Sequence, residues 1–360
     1  MVDATTQRAG DPSGVSYVLE TIYKQQQKTE AENWVATEMI ELLKKKLNIA
    51  SAPFLSSAEY KLVGSAAEKL AMSSKDDKDL LLVLGPPYTP EYFTSVYESH
   101  GRHYLVWNKR MFNGKRPQYV GNTKHLKALA LRTFINGCLQ SALKGERVGS
   151  SLHVSKLEVW KQAVRAHLRQ DGGKENFIVD IIPQIRGDKW TKVKGVKPQK
   201  ELGLDLQKTI SALEASGESS IMFSLFGPAG TTPYTVTTCY ALLEREFFLK
   251  NKALRDIAVL AKIILTGHNW KKRFGFKVAH LKRLLMARSE HFSALKPWQG
   301  ITQLLSLAES QLRDGSLEGF PDLNSDLMWH KTDEDCHGIA RAIADVMMTL
   351  DPQYLAMYLC

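Results

Sequence analysis

Two short apolar runs that carry carboxylates constrain the fold of this chain more than any other feature. The first is Leu80-Leu81-Leu82-Val83-Leu84, entered through Asp77-Lys78-Asp79 and stopped by Gly85-Pro86-Pro87. The second, far downstream, is Phe177-Ile178-Val179-Asp180-Ile181-Ile182-Pro183. Their length and stop signals predict buried strands. Side chains alternate along a strand, so Asp77 and Asp79 share a face. Neighbouring carboxylates repel each other, and a charge within a buried strand needs a partner. A cation held between acids on adjacent strands meets both demands. A solvated turn at residues 76–79 and a strand-end cap at Asp180 fit the same residues.

The rest of the chain surrounds these strands with helices. Ser16 to about Leu47 holds no Pro or Gly and repeats apolar residues at helical spacing, which predicts one long helix or two abutting ones. Ala66–Met72 and Lys124–Lys144 read as helices, residues 103–107 as a strand, and Lys156–Leu168 as strand or helix. Beyond residue 202 the pattern turns helical, with candidates at Leu204–Ser216, Tyr240–Lys250, Leu254–Leu265, Lys277–Arg288, Trp298–Arg313 and Gly338–Met348. The expected class is α/β, with a mixed first half and a helical second half.

Composition narrows the function classes. No stretch approaches the roughly 18 apolar residues of a membrane helix. The start, Met1–Gly14, is polar and lacks a signal-peptide core. Four cysteines, Cys138, Cys239, Cys336 and Cys360, form no CxxC pair and predict a reducing, cytoplasmic setting. Zinc-finger spacing is absent. The small cluster His330, Asp333, Asp335, Cys336 and His337 reads as a solvated turn before a helix or, less simply, as a zinc site. With 48 basic and 38 acidic residues the net charge is +10, which points to a polyanionic partner.

Ahead of the acidic run stands Gly64-Ser65, a turn whose N–H groups and hydroxyl suit phosphate oxygens. Strand, Gly-Ser, helix, strand with DxD, then a distant strand with Asp is the order of a polymerase-β-type nucleotidyltransferase. The run Gly64 to Asp79 is similar, without gaps, to the Gly-Ser and acidic motifs of cyclic GMP–AMP synthase (cGAS). It also resembles those of the animal cGAS-like receptors. Phe177–Pro183 resembles their third-carboxylate strand, and Cys239-Tyr240-Ala241-Leu242-Leu243-Glu244-Arg245-Glu246 their "SFS…EKE" helix. The resemblance runs from about residue 15 to near the end, and loosens after residue 185.

The resemblance implies a bilobed fold: a flexible tail over 1–14, a spine helix and catalytic lobe over 15–200, and a helical lobe over 201–360. It implies an enzyme that joins ATP and/or GTP into a cyclic dinucleotide, read by a downstream receptor in innate immunity. Asp77, Asp79 and Asp180 would hold two magnesium or manganese ions. Gly64 and Ser65 would hold a donor phosphate, Lys262 another phosphate, and Glu244 a base. A base-stacking tyrosine is replaced by Ala279 and a guanine-reading arginine by Thr237, so base choice is open. The interval that carries the zinc insertion in cGAS has no Cys or His here, and no zinc is expected. A catalytically silent nucleotide-binding scaffold, or a transferase that extends an RNA end, would share these motifs.

Basic residues gather at Lys44-Lys45-Lys46, at Lys109-Arg110 with Lys115-Arg116, across Lys189–Lys200, and at Lys271-Lys272-Arg273. Without a zinc element, double-stranded RNA is the expected activator, since an A-form duplex is read by shape and backbone contacts. The triple lysine on the first helix is the candidate contact. Gly227–Thr232 resembles a phosphate loop but lacks its lysine, and reads as a turn.

Overall fold

Both acid-bearing runs are strands in the computed structural model, which describes residues 12–72, 77–108, 117–160, 162–172, 176–226, 232–319, 328, 331–351 and 355. The strands are β1 (Glu59–Val63), β2 (Lys78–Val83), β3 (Phe93–Ser99), β4 (Arg102–Trp107), β5 (Arg147–Val148), β6 (Leu152–Val159), β7 (Val164–Gln170), β8 (Asn176–Arg186), β9 (Met222–Ser224) and β10 (Thr235–Cys239). They form one sheet in the order β3-β4-β10-β9-β8-β7-β6-β5, with β2 beside β8 and β1 beyond β2. Only β2 and β8 pair in parallel among the described strands. The fold is therefore mixed α/β, built on a mixed sheet.

Strand β8 is the hub. Along one edge it pairs with β7; along the other it pairs first with β2 and then, from Gln184 to Arg186, with β9. A parallel pair needs a long crossover, and everything from β3 to β7 lies between β2 and β8. Alternation sorts the side chains onto two faces. Val164, Ala166 and Leu168 of β7 stand beside Ile181, Val179 and Phe177 of β8 on one face, all buried. The other face carries Asp79 and Asp180. There Leu81, Val83, Ile182 and Met222 cluster with Val63 and with Leu242.

The helices are α1 (Pro12–Ala31), α2 (Trp34–Lys46), α3 (Pro53–Ser56), α4 (Gly64–Ala67), α5 (Ala128–Leu143), α6 (Leu204–Ala215), α7 (Ala241–Lys250), α8 (Lys252–Gly267), α9 (Trp270–Phe274), α10 (Val278–Ala287), α11 (Ser289–Ser293), α12 (Pro297–Arg313) and α13 (Asp333–Thr349). The expected spine helix is two helices. Around Glu32 and Asn33 the bonding shifts to i→i+3, with Asn33 N–H on Glu30 O and Val35 N–H on Glu32 O. Helix α4 is a single turn, shorter than the stretch to Met72 that periodicity suggests.

The chain forms two compact units. The sheet unit comprises Gln26–Lys250 with Pro321–Ser325; the helical unit comprises Met1–Gln25, Asn251–Phe320 and Asp326–Cys360. The sequence places a division at residue 200; the structure places it after Lys250. The reason is that β9 and β10, which carry no long apolar run, complete the sheet between β8 and β4. The tail expected over 1–14 also differs, since α1 begins at Pro12; residues 1–11 lie outside the described residues. In the helical unit α8 packs on α10 and α12, and α12 on α13. Ile257, Leu260, Leu281, Leu285, Ile301, Leu305, Ile339 and Ile343 are buried there. No described helix is long and apolar enough to cross a membrane.

Candidate active site

The register of three strands assembles an acidic row. Asp79 of β2 is the direct parallel partner of Asp180 of β8, and Asp180 is the direct antiparallel partner of Arg165 of β7. Paired residues share a face, so Asp79, Asp180 and Arg165 stand side by side across β2, β8 and β7. Asp77 lies just before β2, two residues from Asp79. Lys78, between them, is fully buried.

Arg165 ties this row together. Its Nε donates to Asp180 Oδ1 at 2.7 Å and its terminal nitrogen Nη2 to Asp180 Oδ2 at 2.7 Å. The same Nη2 also donates to Asp77 Oδ2 at 2.6 Å. The hydrogen bond with Asp180 is the main cause that holds the guanidinium pKa above its ordinary value, with the charges of Asp180, Asp77 and Glu158 adding to it. The Arg165–Asp180 side chains are only 15% and 12% exposed, whereas Asp77 is 40% exposed, so the row opens to solvent on the Asp77 side.

The guanidinium is backed by an aromatic face. Its carbon lies 3.9 Å from the centroid of the Trp160 ring. Trp160 is half-exposed, and its indole N–H donates to Glu158 Oε2 at 3.1 Å. Lys156 sits 2.5 Å from Glu158 Oε1, and His167 Nε2 lies 3.5 Å from the same oxygen. The hydrogen bond from Lys156, with that of Trp160 and the nearby His167 ring, lowers the Glu158 pKa to about 2.

The Gly-Ser turn sits against Asp79. Val63 of β1 is the register partner of Asp79, so the chain turns into Gly64-Ser65 beside that carboxylate. Gly64 has φ +74°, and a methyl group on it would collide with Asp79 Oδ2. Glycine is required there by both backbone and space. Ser65 is partly buried in α4. Helix α7 packs against α4 and β1, anchored by Leu242 and by Arg245, whose Nη1 donates to Leu62 O at 3.0 Å. That helix carries Glu244, which is buried.

The structure thus brings Asp77, Asp79, Asp180 and Gly64-Ser65 into one neighbourhood, with Glu244 on a helix packed beside it. Lys262 belongs to α8 of the helical unit, where it is partly buried. Thr237 lies on β10 and its hydroxyl donates to Phe226 O at 2.8 Å; Ala279 lies on α10 of the helical unit. Lys44, Lys45 and Lys46 form the last turn of α2, where cations complement the helix dipole. Lys44 pairs with Glu41 at 2.8 Å and Lys46 with Glu146 at 2.6 Å, while Lys45 is exposed. The basic residues at 109, 110, 115 and 116, His330, Cys360 and most of 227–232 lie outside the described residues. Asp333, Glu334 and Asp335 occupy the first turn of α13, where Thr332 and Asp335 form a reciprocal cap, and His337 contacts Arg313 O at 2.8 Å.

Sequence reasoning missed Arg165 and Trp160. Residues 156–168 fit strand or helix by pattern alone, and only the β7–β8 register sets Arg165 opposite Asp180. A signal was present: an arginine inside an alternating run, in a chain with a lone acid on an apolar strand.

The donor set suits a hard cation, since carboxylate oxygens are the ligands that Mg²⁺ and Mn²⁺ prefer. A positive group already bridges Asp77 and Asp180, so the spacing admits one. Among the described residues no three His, Cys, Asp or Glu side chains surround a single cation position; Arg165 holds that place between two of the three acids. Compared with models of known protein families and with curated proteins, the chain finds no match.

Proposed function

We propose that this chain is a nucleotidyltransferase of the polymerase-β type that joins ATP and/or GTP into a cyclic dinucleotide, with double-stranded RNA as its activator. One observation carries the reading. A Gly-Ser turn lies against the second carboxylate of a DxD pair, and that carboxylate is the register partner of a third acid on the neighbouring strand. Phosphate would be held by the Ser65 hydroxyl beside the acids that bind the metal.

Asp77, Asp79 and Asp180 are the residues that would bind two magnesium or manganese ions. Metal bound there would neutralise phosphate charge and favour ionisation of a ribose hydroxyl. The reaction class is attack of that hydroxyl on an α-phosphate with loss of pyrophosphate. Glu244, buried on α7, would contact a base, and the resemblance gives Lys262, on α8, a phosphate-contacting role. Thr237 and Ala279 leave the base choice open. Function in innate immune signalling, with the product read by a separate receptor, follows from the same resemblance. The +10 charge supports a polyanionic activator, with Lys45 as its clearest contact.

A second reading has its own observation. Arg165 already bridges Asp77 and Asp180, an arrangement that a nucleotide-binding scaffold without metal chemistry could keep. One experiment separates the two. Purified protein is incubated with the four ribonucleoside triphosphates and Mg²⁺ or Mn²⁺, with double-stranded RNA, double-stranded DNA or neither, and the small molecules are read by mass spectrometry. A cyclic dinucleotide that appears with RNA and vanishes in a folded Asp180→Asn variant supports the enzyme. No product from folded, nucleotide-binding protein supports the scaffold, and labelled RNA ends support an end-adding transferase.

A further inference from the structure

We propose that Arg165 is a resident counter-cation of the acidic row, which a divalent cation must displace in order to bind Asp77 and Asp180. The inference rests on the metal-binding reading above and concerns what that reading leaves out: the charge that already sits between the ligands.

The geometry is that of a cation substitute. One guanidinium nitrogen contacts oxygens of two carboxylates, at 2.6 Å on Asp77 and 2.7 Å on Asp180. The neighbouring Nε takes the other oxygen of Asp180. Each Asp180 oxygen therefore already spends a lone pair on Arg165, and a metal approaching either one meets the guanidinium charge. The charge is permanent, because a guanidinium keeps its proton in proteins. Release must come by competition. A guanidinium brings one positive charge to a face with three carboxylates, whereas a divalent ion brings two, and Coulomb attraction scales with that charge. Trp160 fixes the plane. Its ring, 3.9 Å from the guanidinium carbon, leaves the edge with the N–H groups turned to the acids. The Asp77 side of the bridge is the exposed side, and it is where an incoming ion meets the pair first.

Two residues thus acquire roles: Arg165 as the competitor for the ligand oxygens, and Trp160 as its positioning residue. Removing Arg165 takes its hydrogen bonds from both carboxylates and deletes the competing charge. Removing Trp160 leaves the charge but loosens it.

The test reads metal binding, without turnover. Free Mn²⁺ is followed by electron paramagnetic resonance during titration of the full chain at fixed ionic strength. Wild type, Arg165→Gln, Trp160→Ala and Asp180→Asn are compared, each checked for fold by circular dichroism. Arg165→Gln is expected to tighten Mn²⁺ binding by roughly tenfold or more, the worth of charge-assisted hydrogen bonds no longer in competition. Trp160→Ala is expected to tighten it by about two- to fivefold, the scale of an exposed cation–π contact. Asp180→Asn is expected to abolish it. Equal affinity in wild type and Arg165→Gln, with Asp180→Asn still abolishing binding, overturns the counter-cation and leaves the metal reading standing. Weaker binding in Arg165→Gln also overturns it, and makes Arg165 an organiser of the ligands. No Mn²⁺ bound at millimolar concentration by either protein, or binding that survives Asp180→Asn, overturns the metal reading and this inference together. If Arg165→Gln does not fold, Trp160→Ala decides alone, and an unchanged affinity there overturns the proposal.

Discussion

Gly64 shows how a single position joins backbone and chemistry. Its φ is +74°, and a β-carbon there would meet Asp79 Oδ2. Gly64→Ala is therefore expected to destabilise the sheet unit by about 2–4 kcal/mol, from left-handed strain plus displacement of a carboxylate. Urea unfolding measures this, and a loss below about 0.5 kcal/mol, the size of an ordinary surface change, would refute the collision. His103 of β4 makes a second case. It is fully buried, its ring centroid is 5.4 Å from Tyr97 and 5.1 Å from Phe223, and neither ring nitrogen has a partner among the described residues. Burial lowers its pKa from 6.5 to about 4. Between those values the unfolded chain binds the proton and the folded one does not. Stability from this group is complete above pH 6.5 and is lost as pH falls toward 4, by up to about 3 kcal/mol. His103→Leu is expected to remove that part of the pH slope in denaturant midpoints. An unchanged slope would mean that the histidine titrates normally in the folded protein.

Elements meet where small residues let them. Gly300 of α12 lies against Ile257 of α8, and a methyl group on Gly300 would collide with the Ile257 side chain. Gly300→Ala is expected to separate the two helices and cost about 1–3 kcal/mol, although alanine favours helix by propensity. A rise in Tm would show that propensity outweighs the contact. Helix α2 carries the candidate RNA contact, and its lysines are not equivalent. Lys44 and Lys46 have carboxylate partners, so Lys45→Ala is expected to reduce the slope of log affinity against log salt by about 1. Lys46→Ala is expected to change it less, and the opposite ranking would place the RNA elsewhere. At this scale much was legible. The β2 and β8 runs, the helix periodicities of α5, α8, α10, α12 and α13, and the Gly-Ser turn all carry local signals. Strands β9 and β10 did not. They are short, and they bury through neighbours supplied by β8 and β4, so no periodicity of their own marks them.

The whole molecule is organised by contacts distant in sequence. The helical unit takes in residues 1–25 together with 251–320 and 326–360. Val18, Leu19 and Ile22 are buried, and Tyr23 donates its hydroxyl to Asp256, which also pairs with Lys252 at 2.7 Å. Deleting residues 1–25 removes that apolar cover and takes a hydrogen bond from a buried carboxylate. The Tm of the helical unit is expected to fall by several degrees, since each kcal/mol shifts it by about 2–4 °C in a domain of this size. Unfolding identical to the full chain would show that the segment contributes nothing. The sequence by itself determined the class of elements, the two-residue spacing of Asp77 and Asp79 at the entry to β2, and the Gly-Ser turn ahead of them. Those features follow from local rules, the two-residue alternation of strands and the backbone freedom of glycine. Only the tertiary structure decided which strand lies next to which, and hence that Asp79 stands opposite Asp180 and Asp180 opposite Arg165. Register between strands is set by burial summed over the whole sheet, and a one-residue slip of β7 would turn Arg165 away from the acids. No local pattern contains that sum.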